Sequence, residues 1–387
     1  MAATATNPIN SYELTVETKI NIDELIAILN PEDLPMLGGV NSDGFPTIPK
    51  MPVDNTVFYW LEEDMPTPRT VVGTALATTV TTLVVASGET VKFSAGDLIR
   101  INSEVLQIVS IDSATNMTVA RAQLGTSDPG SNHAVGAEVI GLGTYLDEGD
   151  VGDQQFRGRD RYSNYTQIWT SKISMTRTEQ VIPKYGIPSE LARQVRSIML
   201  SEGVNMEQTL LYGVKHETAP RRATGGLSFF ITTNAIANGA SGNWLTVNEV
   251  EKRQQVAYDA GGMFGAIVAR PINFRALTNT AGAERIQTVT VDDPRRGRRR
   301  ATSVITEFGE VELVRNRYAR LSDAFGINRE NVIHRVLQPM VMQPLAKTDD
   351  KDNYMFVAEG GFEVKAERHM VKWTGLDPTQ SLPTNLV

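Results

Sequence analysis

The chain has 387 residues, 41% of them hydrophobic and 21% charged, with a formal net charge of -8. That length supports a sizeable core spread over two or three lobes. Cysteine is absent, which excludes a disulfide framework, a thiolate metal site and a cysteine nucleophile.

Residues 1–20 show little periodicity. Their composition lacks a basic region followed by an apolar run, so no signal peptide is expected, and no stretch approaches a membrane span. Asn21 with Glu24 has the spacing of a helix cap, and Ile22, Leu25, Ile26 and Leu29 make one short amphipathic helix ended by Asn30-Pro31. Proline-rich sequence follows as far as Pro68, relieved only by Val57-Phe58-Tyr59-Trp60. This reads as an extended arm, which has too little apolar surface to order itself and must pack on the body or on a neighbour. The arm is acidic: residues 1–65 hold 11 Asp/Glu against 2 Lys/Arg, whereas residues 151–387 hold 31 Lys/Arg against 25 Asp/Glu.

From residue 69 to 145 the pattern changes to short Thr/Val-rich and alternating runs, including Leu98–Ile111 and Met117–Ala120, punctuated by Gly88, Gly96, Gly125, Gly130, Gly136 and Gly141. That is a small all-β module. It is bracketed by Pro66–Pro68 and Gly141–Gly143, followed by a polar return segment, 144–160. Tyr165–Ser174 then reads as a strand. Beyond it Leu191, Val195, Ile198, Met199, Met206, Leu210, Leu211 and Val214 recur at three- and four-residue steps, which predicts one long helix over 188–213. Pro188 suits its first turn, Gly213 its end, and Gly203 weakens it midway by about 1 kcal/mol relative to alanine.

After a Gly/Asn-rich loop, Thr246 and Glu249 form a capping box for a helix that stops at Gly261-Gly262. Ala266–Ala269 is a short buried strand, and Pro271 starts a helix carrying Phe274 and Leu277. Val289–Val291, Ala301–Thr306, Glu310–Val314, Asn331–Leu345 and Tyr354–Trp373 read as extended segments. The fold class is α+β, with helices on a mostly antiparallel sheet.

Chemistry has no visible address in this pattern. The four histidines, His133 among them in a glycine-flanked turn, are scattered singly, and no zinc, nucleotide or nucleophile-elbow motif is present. Acidic runs at Asp147–Asp153 and Asp349–Asp352 lack the glycine and glutamate of a calcium loop and read as turns. No catalytic residue, cofactor or metal is expected. The strongest charge signal is the loop Asp292–Arg300, with Arg295, Arg296, Arg298, Arg299 and Arg300 within six residues. Without interleaved aromatics it lacks a base-stacking platform, so pairing with acids of the same or a neighbouring copy competes with a phosphate-binding role.

Several stretches in order carry a family resemblance: DELIAILNPEDLPML and VFYWLEEDMPTP in the arm, RYSNYTQIW and SMTRTEQ before the helix, then EFGEVELVRNRY and LQPMVMQPLAKTDDKDNYMFVAEGGFEVKAERHMVKWTGL. Together they resemble the SU10-type major capsid proteins of tailed phages, which have the HK97-like fold. The resemblance implies an N-terminal arm (1–65), an extended loop region (66–160) carrying the β-module (about 70–143), a peripheral domain (161–245) with the spine helix, an axial domain (246–345) and return strands (346–387). It implies a shell subunit that assembles with itself into hexamers and pentamers around double-stranded DNA in the virion, with no sequence specificity and no membrane. Decoration, scaffold or portal proteins are candidate further partners. The β-module resembles a small domain recurring in phage structural proteins, through its Gly-Asp turn, RAQLGT and His133–Gly136. The rival reading is a surface module that recognises a host or glycan ligand. Candidate contacts between copies are Glu62, Glu63, Asp64, Arg157, Arg159, Arg161, Arg177, the five loop arginines, Glu307 and Glu310.

Overall fold

The computed structural model describes residues 34–38, 48–63, 67–126, 132–146, 149, 159–182, 189–237, 244–280, 286–290, 299–347 and 350–377. The predicted helix at 22–29, most of the arm and Pro188 lie outside these residues. The chain divides into two compact units, one formed by Trp60–Tyr162 and the other by the described residues before and after it.

The larger unit is built on two sheets. In the first, the strands Lys50–Pro52, Val332–Pro344, Lys351–Val364 and Gln167–Thr176 lie side by side in that order. Gln167–Thr176 pairs antiparallel with Lys351–Val364 over ten residues without a register shift. Sequence periodicity ran one strand through Tyr165–Ser174. The chain instead breaks at buried Thr166, whose hydroxyl bonds Glu359 at 2.7 Å, and the preceding strand Asp160–Tyr165 pairs elsewhere, with Val57–Glu62.

The long helix spans Glu190–Tyr212, about 35 Å at the usual rise. It starts at Glu190 rather than at 188: Ser189 is its cap, and the Ser189 side chain accepts a hydrogen bond from the Ala192 N–H. Its apolar stripe is only half used within one copy. Met206, Leu210 and Leu211 are buried, whereas Leu191, Val195 and Ile198 are half-buried and Met199 is exposed; Val214, expected on the stripe, lies beyond the helix end. Gly203 has a packing role that its helix propensity conceals: a Cβ there would lie 2.7 Å from Leu34 Cδ1. Leu34 packs its side-chain tip onto this glycine, and the same turn brings Met36 and Leu37 into the cluster with Met206, Leu210 and Leu211.

The helix ends against two more glycines. Gly226 N donates to Gly213 O at 2.9 Å, and a Cβ on Gly226 would lie 2.4 Å from the carbonyl oxygens of both Thr209 and Leu210. Helix backbone cannot give way as a side-chain tip can. Gly226→Ala is therefore expected to lower the stability of this unit by about 3 kcal/mol, the upper end of overpacking costs, read as a shift in denaturant midpoint at unchanged slope.

The second sheet has seven strands in the order Ala235–Ala237, Val371–Thr374, Ala324–Ile327, Ala266–Ala269, Gly309–Arg315, Arg299–Thr306 and Ile286–Thr290. It is mixed: Ala266–Ala269 runs parallel to Gly309–Arg315 and antiparallel to Ala324–Ile327. All four residues of Ala266–Ala269 are buried, as a central strand covered on both faces requires. Alternation divides them: Ala266 and Val268 join the core under the long helix, while Ile267 and Ala269 join a second core with Val250, Ala257, Phe274, Leu277 and Trp373. That second core is covered by the helices Val247–Asp259 and Phe274–Thr280, the former capped by Thr246, which accepts from the Glu249 N–H.

Trp60–Tyr162 contains a six-stranded antiparallel sheet, ordered Arg69–Val71, Glu138–Thr144, Asp97–Ile101, Glu104–Ile111, Asn116–Ala120, Thr82–Val84. The run Leu98–Ile111 folds back on itself, with Ile101 facing Glu104 across a two-residue turn in which Asn102 has φ 54°. Asparagine tolerates that left-handed geometry, which makes the tight hairpin possible. Val72, Leu76, Leu83, Ile99, Leu106 and Ile108 fill its core with Met117, Val119 and Val139.

Candidate assembly surfaces

Of the residues expected at contacts between copies, those near the Val57–Glu62 strand fall into local pairs. Glu62 accepts a hydrogen bond from Trp60 Nε1 at 2.9 Å, and Arg159 Nε lies 3.1 Å from Glu63. Trp60 stacks on Tyr162 with ring centroids 6.1 Å apart. Arg161 is exposed on Asp160–Tyr165. Arg177, in the short helix Arg177–Val181, lies 3.3 Å from Asp350, with both side chains largely in solvent, where a pair adds little stability. Asp64, Arg157, Arg295, Arg296 and Arg298 lie outside the described residues. Arg299 and Arg300 open the strand Arg299–Thr306, paired with Thr290 and Val289.

At the other end of that strand, Glu307 and Glu310 are exposed around the turn that joins it to Gly309–Arg315. The turn forms one wall of a cleft of about 620 Å³ whose lining includes Gln254, Phe264, Phe308, Glu310, Glu312 and Arg329. Arg329 pairs with Glu312. Burial raises the Glu312 carboxyl, with Arg329 opposing and the charge of Glu310 adding to the rise. Burial likewise lowers the Arg329 guanidinium, against the pull of Glu312.

Sequence reasoning missed a set of buried polar groups because each sits inside an otherwise apolar pattern. Glu207 is fully buried on the inner face of the long helix, where its Oε1 accepts from Met36 N at 3.0 Å and Asn316 Nδ2 at 2.7 Å. It anchors the Leu34–Gly38 turn to the helix. Asn164 is also fully buried: its amide nitrogen donates to Thr224 Oγ1, Gly225 O and Phe362 O, and its oxygen accepts from the Tyr165 and Gly225 N–H groups. That one side chain ties the strand Asp160–Tyr165 to the glycine turn at Gly225 and to the first sheet.

His334 stacks against Phe362 at 5.2 Å, and burial, helped by the nearby Lys50 charge, lowers its pKa to about 4. A histidine depressed below its ordinary value favours the fold while neutral. Its contribution is complete above about pH 6.5 and disappears as pH falls towards 4, a loss on the order of 3 kcal/mol. Denaturant midpoints of the larger unit are expected to fall over that window, and His334→Phe to remove this part of the slope. An unchanged slope in the variant would assign the acid sensitivity to other groups.

In the β-unit, His133 is buried, in a bridge with Leu76. Its Nε2 lies 2.7 Å from Glu104 Oε2. Arg121 clamps the same carboxylate bidentately, at 2.8 Å through Nε and 2.7 Å through Nη2, and Ala122 N adds a fourth contact at 3.2 Å. Burial alone would raise the Glu104 pKa, but the bonds from Arg121, His133 and Ala122 outweigh it and hold it at about 2. Arg121 also donates to the carbonyls of Ala77 and Thr78, so one carboxylate organises three loops. The Arg121–Gln123 and His133–Gly136 stretches were visible as a motif, but nothing in their spacing points to Glu104.

The larger unit leaves apolar groups in solvent outside its cores. Val181 is 75% exposed, and Ile168, Ile182, Val341, Met342 and Leu345 are also exposed. Single exposed apolar residues are ordinary; on the long helix Met199 is exposed while Leu191, Val195 and Ile198 are half-buried, so the first half of its stripe is only partly covered. No groups of acids and histidines that could hold a metal occur among the described residues.

These elements define the class: an HK97-like capsid fold. The capsid of Myoviridae phage XM1 matches with a TM-score of 0.51 at 11% identity, over 96% of this chain and 100% of that one. Two further matches are a Mycobacterium phage Adephagia structure (TM-score 0.48, 12% identity, 97% and 100% of the chains) and the capsid of a native GTA particle (0.48, 10%, 96% and 100%). No curated protein matches the chain. The family model of the SU10 major capsid protein matches residues 4–377, and the chain belongs to that family. It is a major capsid protein of a tailed phage.

Proposed function

We propose that copies of this chain close into an icosahedral shell of hexamers and pentamers around double-stranded DNA, assembled in the host cytoplasm. The observation that carries this reading is the family match over nearly the whole chain. The half-covered stripe of the Glu190–Tyr212 helix supports it, since a subunit that buries the stripe only on assembly has reason to leave it open. In this arrangement the axial domain (246–345) gathers around the capsomer centre. The acidic arm (1–65) and the 66–160 region overlap arginine-rich neighbours, and complementary charge sets their register. The DNA contact is electrostatic and blind to sequence, while scaffold, portal and decoration proteins are the remaining partners. The role is structural rather than catalytic.

Measured mass of the purified chain tests this directly. A single copy is 42.4 kDa, whereas capsomers are multiples of five or six and shells run to megadaltons. A monodisperse monomer across assembly conditions would reject the shell reading in favour of a free binding module.

A further inference from the structure

The cleft beside the Glu307–Glu310 turn combines three features that together describe a ligand. Gln254 is 1% exposed, lines the cleft, and its Oε1 has no hydrogen-bond partner. A buried acceptor left this way is a standing cost that an incoming donor removes. Three glutamates, Glu310, Glu312 and Glu330, line the same cleft against one arginine, Arg329, which Glu312 already holds. No ion pair to Glu310 occurs among the described residues. Phe308, half-buried at the turn, supplies aromatic surface. Buried acceptor, unneutralised carboxylate and ring face suit a planar guanidinium better than a compact ammonium, because its several donors fan out in one plane that can lie on a ring. The surplus of carboxylates repels nucleic acid.

From this geometry we infer that the cleft receives an arginine side chain from the Asp292–Arg300 segment of a second copy of this chain. The described anchors of the chain's own segment lie away from its cleft. Residues 291–298 connect Thr290 to Arg299, which pair at one end of the Arg299–Thr306 strand, while the cleft lies at the other end, where Thr306 pairs with Gly309. Eight strand residues separate the two ends by about 25 Å, beyond the reach of a side chain. The anchors of the donor segment and the acceptor cleft thus sit at opposite ends of one strand. Such a contact is head-to-tail between copies, the kind that closes into a ring when its rotation divides the circle. The inference rests on the shell reading above for the ring, though not for the binding.

The test uses the full chain with Arg295, Arg296, Arg298, Arg299 and Arg300 changed to alanine, so that no neighbour fills the cleft. The probe is a labelled peptide of the sequence Asp292–Arg300, titrated by fluorescence anisotropy. Binding is expected, weakened at least tenfold by Glu310→Arg on the surface and by Gln254→Met inside, with hydrogen exchange of Ala266–Ala269 confirming that each variant is folded. Each change placed in the otherwise natural chain is expected to reduce capsomer yield. If neither change alters peptide binding in folded protein, or if the peptide does not bind at all, the inference is overturned. Peptide binding that depends on Glu310, alongside a natural chain that forms no closed particles, would support the site while rejecting the shell reading.

Discussion

Glu104→Ala is expected to destabilise the β-unit by about 3–5 kcal/mol, the usual cost of removing one member of a buried ionic cluster. The size follows from what is left behind. Arg121 is 8% exposed and His133 1%, so each loses its carboxylate with almost no water to replace it. The loops at Ala77 and His133 lose a shared anchor together. Hydrogen exchange resolves the effect by region: protection in Asp97–Ile101 and Glu104–Ile111 is expected to fall by two to four orders of magnitude, with Ala266–Ala269 unchanged. Replacing Glu104, Arg121 and His133 together by apolar residues of similar size is expected to recover most of the loss, since the penalty lies in broken pairing more than in absent charge. Because the carboxyl is held near 2, its contribution is complete above about pH 4.5 and fades as pH falls towards 2. Uniform loss of protection across both units would show instead that the cluster supports the whole chain.

Removing residues 1–65 is expected to give a folded body that fails to form normal closed particles. The deletion takes away a charge of -9 from a chain whose residues 151–387 carry +6, and with it the complementary half of the proposed contact between copies. It also removes the strands Lys50–Pro52 and Val57–Glu62, takes Met36, Leu37 and Ile48 from the long-helix core and one bond from Glu207, so a loss of stability accompanies the loss of assembly. A milder deletion of residues 1–33 keeps the Leu34–Gly38 turn and separates the two effects. Stability then stays close to that of the full chain while particle yield falls. Normal particles from either truncation would remove the arm from assembly.

The parts of the fold legible in the sequence are those written in local periodicity. The long helix followed from a 3.6-residue stripe, the Thr246 cap from its spacing to Glu249, and the β character of residues 69–145 from alternation and glycine punctuation. What stayed hidden depends on contacts distant in sequence. Lys50–Pro52 runs parallel to Val332–Pro344, a pairing across nearly 300 residues that no window contains. Gly203 read as a weak point because propensity counts only the helix itself, whereas the tip of Leu34 packs onto it. Glu104, Glu207 and Gln254 were passed over for a related reason: a polar residue in an apolar run is ordinarily solvent-facing, and only the assembled core shows which ones are turned inward. The arginine loop was conspicuous in sequence, but the cleft that suits it is assembled from four separate segments.

Electron cryo-microscopy of the purified full chain under assembly conditions tests the shell directly. Closed particles are expected, with five- and six-fold capsomers and the half-exposed stripe of Glu190–Tyr212 covered by neighbouring copies. Discrete small oligomers of fixed size with that stripe still open to solvent, and no closed lattice, would contradict it.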